Sequence, residues 1–215
     1  LSSSSAASDV YKRQRQHGGD QGGGGGVVTK PTGLVLPPRN LLPFWLSGRY
    51  YGTDSHLASN YTSGGAQNGN LRAYPIIVPA ACSVDRIGAE VTTGSAGKSI
   101  RLGIALPNGA GNLPGTIILD SGAIDATSTG VAEATVAATL PAGLVWGLVT
   151  AEDATIRLRG VASADRVGIL GKTSPASSAT FGYGLVMNHS WGALPAAFSG
   201  STTTNDHAVI NVRVV

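Results

Sequence analysis

The chain has 215 residues, of which 31 are glycine and only 13% are charged, with a formal net charge of +3. Val, Ile, Thr and Gly outweigh the helix formers, so long helices are not expected and an all-β chain with many turns is. Arg72, Arg86, Arg101, Arg157, Arg159, Arg166 and Arg213 stand singly in strand-like segments rather than in a stripe that could follow a phosphate backbone, which argues against nucleic acid as a partner.

The chain opens on Ser4-Ser5-Ala6-Ala7-Ser8-Asp9-Val10-Tyr11-Lys12-Arg13-Gln14, which resembles a translated sequencing adapter. Residues 1–14 are therefore set apart from the fold, and the resemblance implies a metagenomic reading frame whose true N-terminus lies upstream. Without Lys12, Arg13 and Asp9 the net charge is about +2. A basic start followed by an apolar stretch is absent, so the segment is not a signal peptide. Residues 15–40 follow as a linker: residues 22–26 are consecutive glycines, which hold no fixed conformation, and Pro31, Pro37 and Pro38 extend the connector.

From residue 41 the composition turns apolar. Leu41-Leu42-Pro43-Phe44-Trp45-Leu46 forms a patch that either tucks under the fold or makes a seam between chains. Arg49-Tyr50-Tyr51 and a polar loop over 52–69 come next, of a length that usually serves function or motion. Apolar runs bounded by Gly, Pro, Asn and Ser then predict strands at 71–78, 84–93, 99–106, 116–121, 131–138, 144–150, 155–161, 180–187 and 208–214. In the second of these, Val84, Arg86, Gly88, Glu90 and Thr92 alternate with Asp85, Ile87, Ala89, Val91 and Thr93, the pattern of one wet face. Phe181, Tyr183, Leu185 and Met187 share a face, and the last strand sets Ala208, Ile210, Val212 and Val214 against Val209, Asn211, Arg213 and Val215, a two-sided strand as if packed against another strand or chain. The whole predicts an antiparallel two-sheet β-sandwich of jelly-roll-like form over 41–215, preceded by a disordered Gly-rich linker. No apolar run approaches the roughly 20 residues of a membrane helix, so membrane insertion is not expected.

Residues able to do chemistry are scattered. The single Cys82 excludes an intramolecular disulfide and a multi-cysteine metal site, and at the head of a strand it reads as a small buried hydrophobe. Asp120 and Asp125 flank Ser121-Gly122-Ala123, where Asp commonly bonds its own backbone in a turn. Asp54, Ser55 and His56 lie close in sequence, but a triad is assembled from separate segments and no Gly-x-Ser-x-Gly elbow occurs. His189 and His207 are isolated, too few for zinc within one chain, although a trimer could gather three imidazoles on its axis. No catalytic residue, cofactor or metal ligand is assigned, and the expectation is a protein that is not an enzyme. Trp146, between Leu144 and Leu148, is expected in the core. Trp191 lies in the polar segment Asn188-His189-Ser190-Trp191-Gly192, and Tyr61 in the 52–69 loop. An aromatic face beside Asn and His suits sugar recognition, so Trp191, His189, Asn188 and Tyr61 are the candidate ligand-binding residues. A Trp191 ring folded back over the sandwich edge fits the sequence equally.

The order of strands and turns from Ser83 to Trp146, including Leu113-Pro114-Gly115-Thr116 and Leu140-Pro141-Ala142-Gly143, resembles the C-terminal β-sandwich domains of phage tail and fibre proteins. The resemblance implies a non-enzymatic virion structural module, extracellular when assembled. It also implies a homo-oligomer, with a homotrimer favoured, that contacts a host cell-surface glycan or other virion proteins. The alternative is a carbohydrate-binding module of a bacterial secreted or cell-surface protein, monomeric beside an enzyme domain.

Overall fold

A computed structural model of the chain describes residues 45–54, 61–63, 68–109, 113–162, 182–200 and 202–215. All lie within the unit Leu41–Val215, whereas the adapter-like segment, the Gly-rich linker and residues 41–44 of the apolar patch fall outside the described residues. Among the described residues twelve strands are formed: β1 (Tyr50–Gly52), β2 (Tyr61–Ser63), β3 (Asn70–Val78), β4 (Cys82–Thr93), β5 (Ser99–Pro107), β6 (Pro114–Asp125), β7 (Gly130–Leu140), β8 (Gly143–Ala151), β9 (Arg157–Val161), β10 (Gly184–Asn188), β11 (Thr202–Thr204) and β12 (Asn211–Val214). They make the expected antiparallel two-sheet sandwich. Sheet I centres on β4, with β7 along one edge and β12 and β9 in tandem along the other; β1 lies beyond β12 and β2 beyond β9. Sheet II has the order β11-β10-β3-β8-β5-β6.

The main core lies between the sheets. Tyr74, Ile76, Ile100, Leu102, Ile104 and Val149 of sheet II meet Val84, Ile87, Val91, Leu140, Leu158 and Val212 of sheet I. Each large side chain removed from water there contributes roughly 1.5–3 kcal/mol. Trp45 packs against this core and stacks on Tyr51, ring centroids 5.0 Å apart and nearly parallel, so this end of the apolar patch tucks under the fold. Cys82 opens β4 half-buried against the same cluster, and burial pushes its thiol pKa up.

A second apolar cluster occupies the opposite face of sheet II. Leu71, Ala73, Ala105, Trp146, Leu148 and Leu185 of sheet II point away from the main core, and Phe198 and Leu194 close over them. Trp146 is fully buried as expected, but here rather than between the sheets. In β8, Val145 and Val149 enter one core while Trp146 and Leu148 enter the other, because this central strand is covered on both sides.

Three local features depart from simple alternation. In β4 the register slips at Asp85 against both β12 and β7, and Val136 and Ala137 of β7 together face that residue. The slip changes the phase of the strand, so Val84 points inward with Ile87, Ala89 and Val91 and not outward with Arg86. In β6 the Gly122 N–H donates to Asp120 Oδ1 at 2.9 Å, the expected Asp–backbone bond. It nevertheless marks an irregularity within one continuous strand, with Gly122 at φ 73°, and the chain does not reverse. Finally, the 52–69 segment supplies β2, which pairs with β9.

Because Trp146 has no exposed surface, Trp146→Ala should cost about 3–5 kcal/mol in urea unfolding. Leu46→Ala, at a side chain 59% exposed, should change stability by about 0.5 kcal/mol or less. Equal costs at the two sites would contradict the second core.

Candidate recognition surface

The chain between β10 and β11 forms a strap across the outer face of sheet II. It leaves β10 at Asn188, which lies opposite Asn70 of β3, and the His189 N–H donates to the Gly69 carbonyl at 3.1 Å. At Trp191 it has reached β5: the Arg101 guanidinium sits 5.9 Å from the centre of the indole. Arg101 pairs with Asp120 at 2.7 Å, and Asp120 Oδ2 also accepts the Leu194 N–H at 2.9 Å. Leu194 then lies over Gly103, where a Cβ would strike the Leu194 side chain and the Leu119 carbonyl oxygen, the latter at 2.6 Å. The strap next pairs with the far edge of the sheet. Ile117 N–H donates to the Ala196 carbonyl and Phe198 N–H to the Gly115 carbonyl, both at 2.9 Å. Phe198 re-enters the second cluster, and the chain returns to β11 beside β10.

Where the strap begins and ends, a groove of about 530 Å³ opens between Asn70, Asn188, Ser199 and Thr202, with Val186 and Met187 along it. Amides and hydroxyls supply its polar groups, and among the described residues no ionisable side chain lines it. Of the sequence-predicted binding residues, Asn188 lines this groove and is exposed. His189 follows it, half-buried, with Nε2 enclosed and making no hydrogen bond among the described residues. Trp191 is half-buried against Arg101, nearer the folded-back alternative than a free platform, and is not part of the groove wall. Tyr61 begins β2 in the other sheet, so the structure does not bring it together with these three. Asn70, Ser199 and Thr202 carried no sequence signal of their own; Asn70 reaches the groove only through its pairing with Asn188.

Sheet I presents a different outer face, polar and internally neutralised. Arg213 donates to both carboxylate oxygens of Asp85 at 2.8 and 2.6 Å. Arg159 grips Glu90 in the same two-pronged way at 3.0 and 2.5 Å. The Tyr50 hydroxyl donates to Glu133, which also pairs with Arg86 at 3.3 Å. A smaller pocket of about 220 Å³ lies here among Asp54, Glu90, Arg159, Val209 and Asn211. The arginine hydrogen bonds hold the Asp85 and Glu90 carboxyls below their ordinary pKa, and the bond to Glu133 raises that of Tyr50. The Thr127 and Thr155 hydroxyls, with their backbone N–H groups, do the same for Asp125 and Asp153 in their turns. Among the described residues no group of three or more His, Cys, Asp or Glu could hold a metal ion, and no helix is long and apolar enough to cross a membrane. Ser55 and His56 lie outside the described residues.

No protein-family model matches this sequence, and no curated protein does.

The carboxylates that gain partners on folding make the stability of the domain fall in acid. Their folded pKa values lie below the unfolded ones, so their contribution is present at neutral pH and is lost as pH falls below about 4. The urea midpoint should hold level from about pH 7 to 5 and drop below about 4. Asp85→Asn should lower the neutral-pH midpoint and flatten the acid limb. A midpoint that rises on acidification would contradict this assignment.

Proposed function

We propose that the chain is a non-enzymatic recognition module of the phage tail or fibre kind, a structural part of a virion that holds a neutral glycan in the groove beside Asn188. The observation that carries this reading is the strap, which is bonded at both edges of sheet II and delivers Asn188 to a groove whose polar groups, among the described residues, are amides and hydroxyls. Asn188 offers two amide donors and a carbonyl acceptor, and Asn70, whose amide also donates to the Asn68 carbonyl at 3.3 Å, offers one further donor and its acceptor, the complement of neighbouring sugar hydroxyls, while Ser199 and Thr202 both donate and accept. Val186 and Met187 give an apolar strip for a sugar C–H face. With no ionisable side chain among the described residues lining the groove, a charged ligand would lose its hydration without a counter-charge, so a neutral glycan is favoured over an acidic one. A rigid scaffold carrying its binding residues on a bonded loop suits a fibre tip, and several copies on one virion strengthen individually weak sugar contacts.

A glycan array probed with the full chain should show binding to neutral glycans. Asn188→Ala and Asn70→Ala should each weaken it about tenfold, the equivalent of one lost hydrogen-bonded contact of roughly 1.4 kcal/mol, with the circular dichroism spectrum unchanged. Binding only to acidic glycans, to none, or equally well in both variants would overturn the proposal.

A further inference from the structure

Among the described residues, the strand edges left without a partner are unequal. β1, β2 and β11 are three residues each, too short to template a partner. β6 is long but broken by three register slips against β5, carries Asp120 and Asp125, and is covered at Gly115–Phe198 and Ile117–Ala196 by the strap. Short length, bulges, charge and cover are the devices that keep an edge from pairing. β7 lacks most of them. It runs from Gly130 to Leu140, pairs among the described residues only with β4, contains no proline and departs from register once, at Val136 and Ala137. Its single charge, Glu133, is already engaged by Arg86 and Tyr50 of the same chain.

We propose that β7 pairs with β7 of a second copy of this chain, antiparallel about a two-fold axis, so that sheet I continues from one copy into the next. The occupant of a bare edge must be an extended strand, and β7 is complementary to itself. The core-facing residues stay on the core face only if the register centres on a residue rather than a peptide bond. Centred on Ala134, that register sets Glu133 against Thr135 and Val131 against Ala137, with Ala134 meeting its own copy. No like charges are opposed and every side chain at the seam is small or uncharged apart from the neutralised glutamate. The second copy would also cover what this side leaves in water: Val131, 80% exposed, Ile118, 37% exposed, and a groove of about 460 Å³ between Leu106, Ile118, Ala138 and Pro141. The pairing gives two copies, not the three that the fibre resemblance implies, and it stands independently of the glycan groove on the other sheet.

Light scattering on a size-exclusion column tests it with the full chain. The wild type should elute at twice the chain mass. Val131→Lys puts a charge on an exposed, outward-facing position of the edge, and Thr135→Glu sets a carboxylate against Glu133 of the second copy; each should halve that mass, with the circular dichroism spectrum unchanged. Leu46→Lys, at an exposed side chain away from β7, should remain dimeric. A wild type that is monomeric or trimeric, or dimers that survive both β7 substitutions, would overturn the proposal.

Discussion

Sheet II is apolar on both faces, and much of the molecule follows from that. β3, β5 and β8 send Tyr74, Ile104 and Val149 toward sheet I and Leu71, Ala105 and Trp146 the other way. One sandwich partner can cover only one of these faces. The strap supplies the other cover, and Leu194 and Phe198 are its apolar payload. A strap of this kind cannot wander, because its carbonyls and N–H groups complete the edge of β6 and its Leu194 N–H is held by Asp120. Rigidity at Asn188 is thus a by-product of sealing Trp146 from water, and the groove beside Asn188 is placed by a packing requirement.

Sheet I solves the opposite problem. Its outer face is polar, and each of Asp85, Glu90 and Glu133 meets an arginine on that face. Such exposed pairs contribute little stability individually but leave a surface without net charge to drive a partner away. The slip at Asp85 belongs to the same arrangement: it turns Val84 into the core while leaving the Asp85 carboxylate within reach of Arg213.

Strands whose alternation or apolar run was long enough to be read singly were legible in the sequence. β3, β4, β5, β7, β8 and β9 form where the spacing put them, within a few residues. β1, β2 and β11 were not, because three residues carry no period and each exists only through its neighbour. The two faces of β8 were invisible for a related reason: Leu144 to Val149 is apolar throughout, so sequence told that Trp146 is buried but not in which core. At the candidate site, Asn188 and Trp191 stood out by type and setting. Asn70 and Thr202 did not, since the groove is made by strand pairing between segments far apart in the chain. Arg101 likewise reads as one more isolated cation until the strap lays Trp191 beside it.

Hydrogen exchange at single amides tests the strap most directly. If it is bonded as a third layer over sheet II, the amides of Ile117, Leu194 and Phe198 exchange about as slowly as those of β8 and gain speed together when Asp120 is replaced by Ala. Exchange of all three at the rate of exposed loops, with β8 still protected, would mean that the strap is not fixed to the sheet and that the groove beside Asn188 is not preformed.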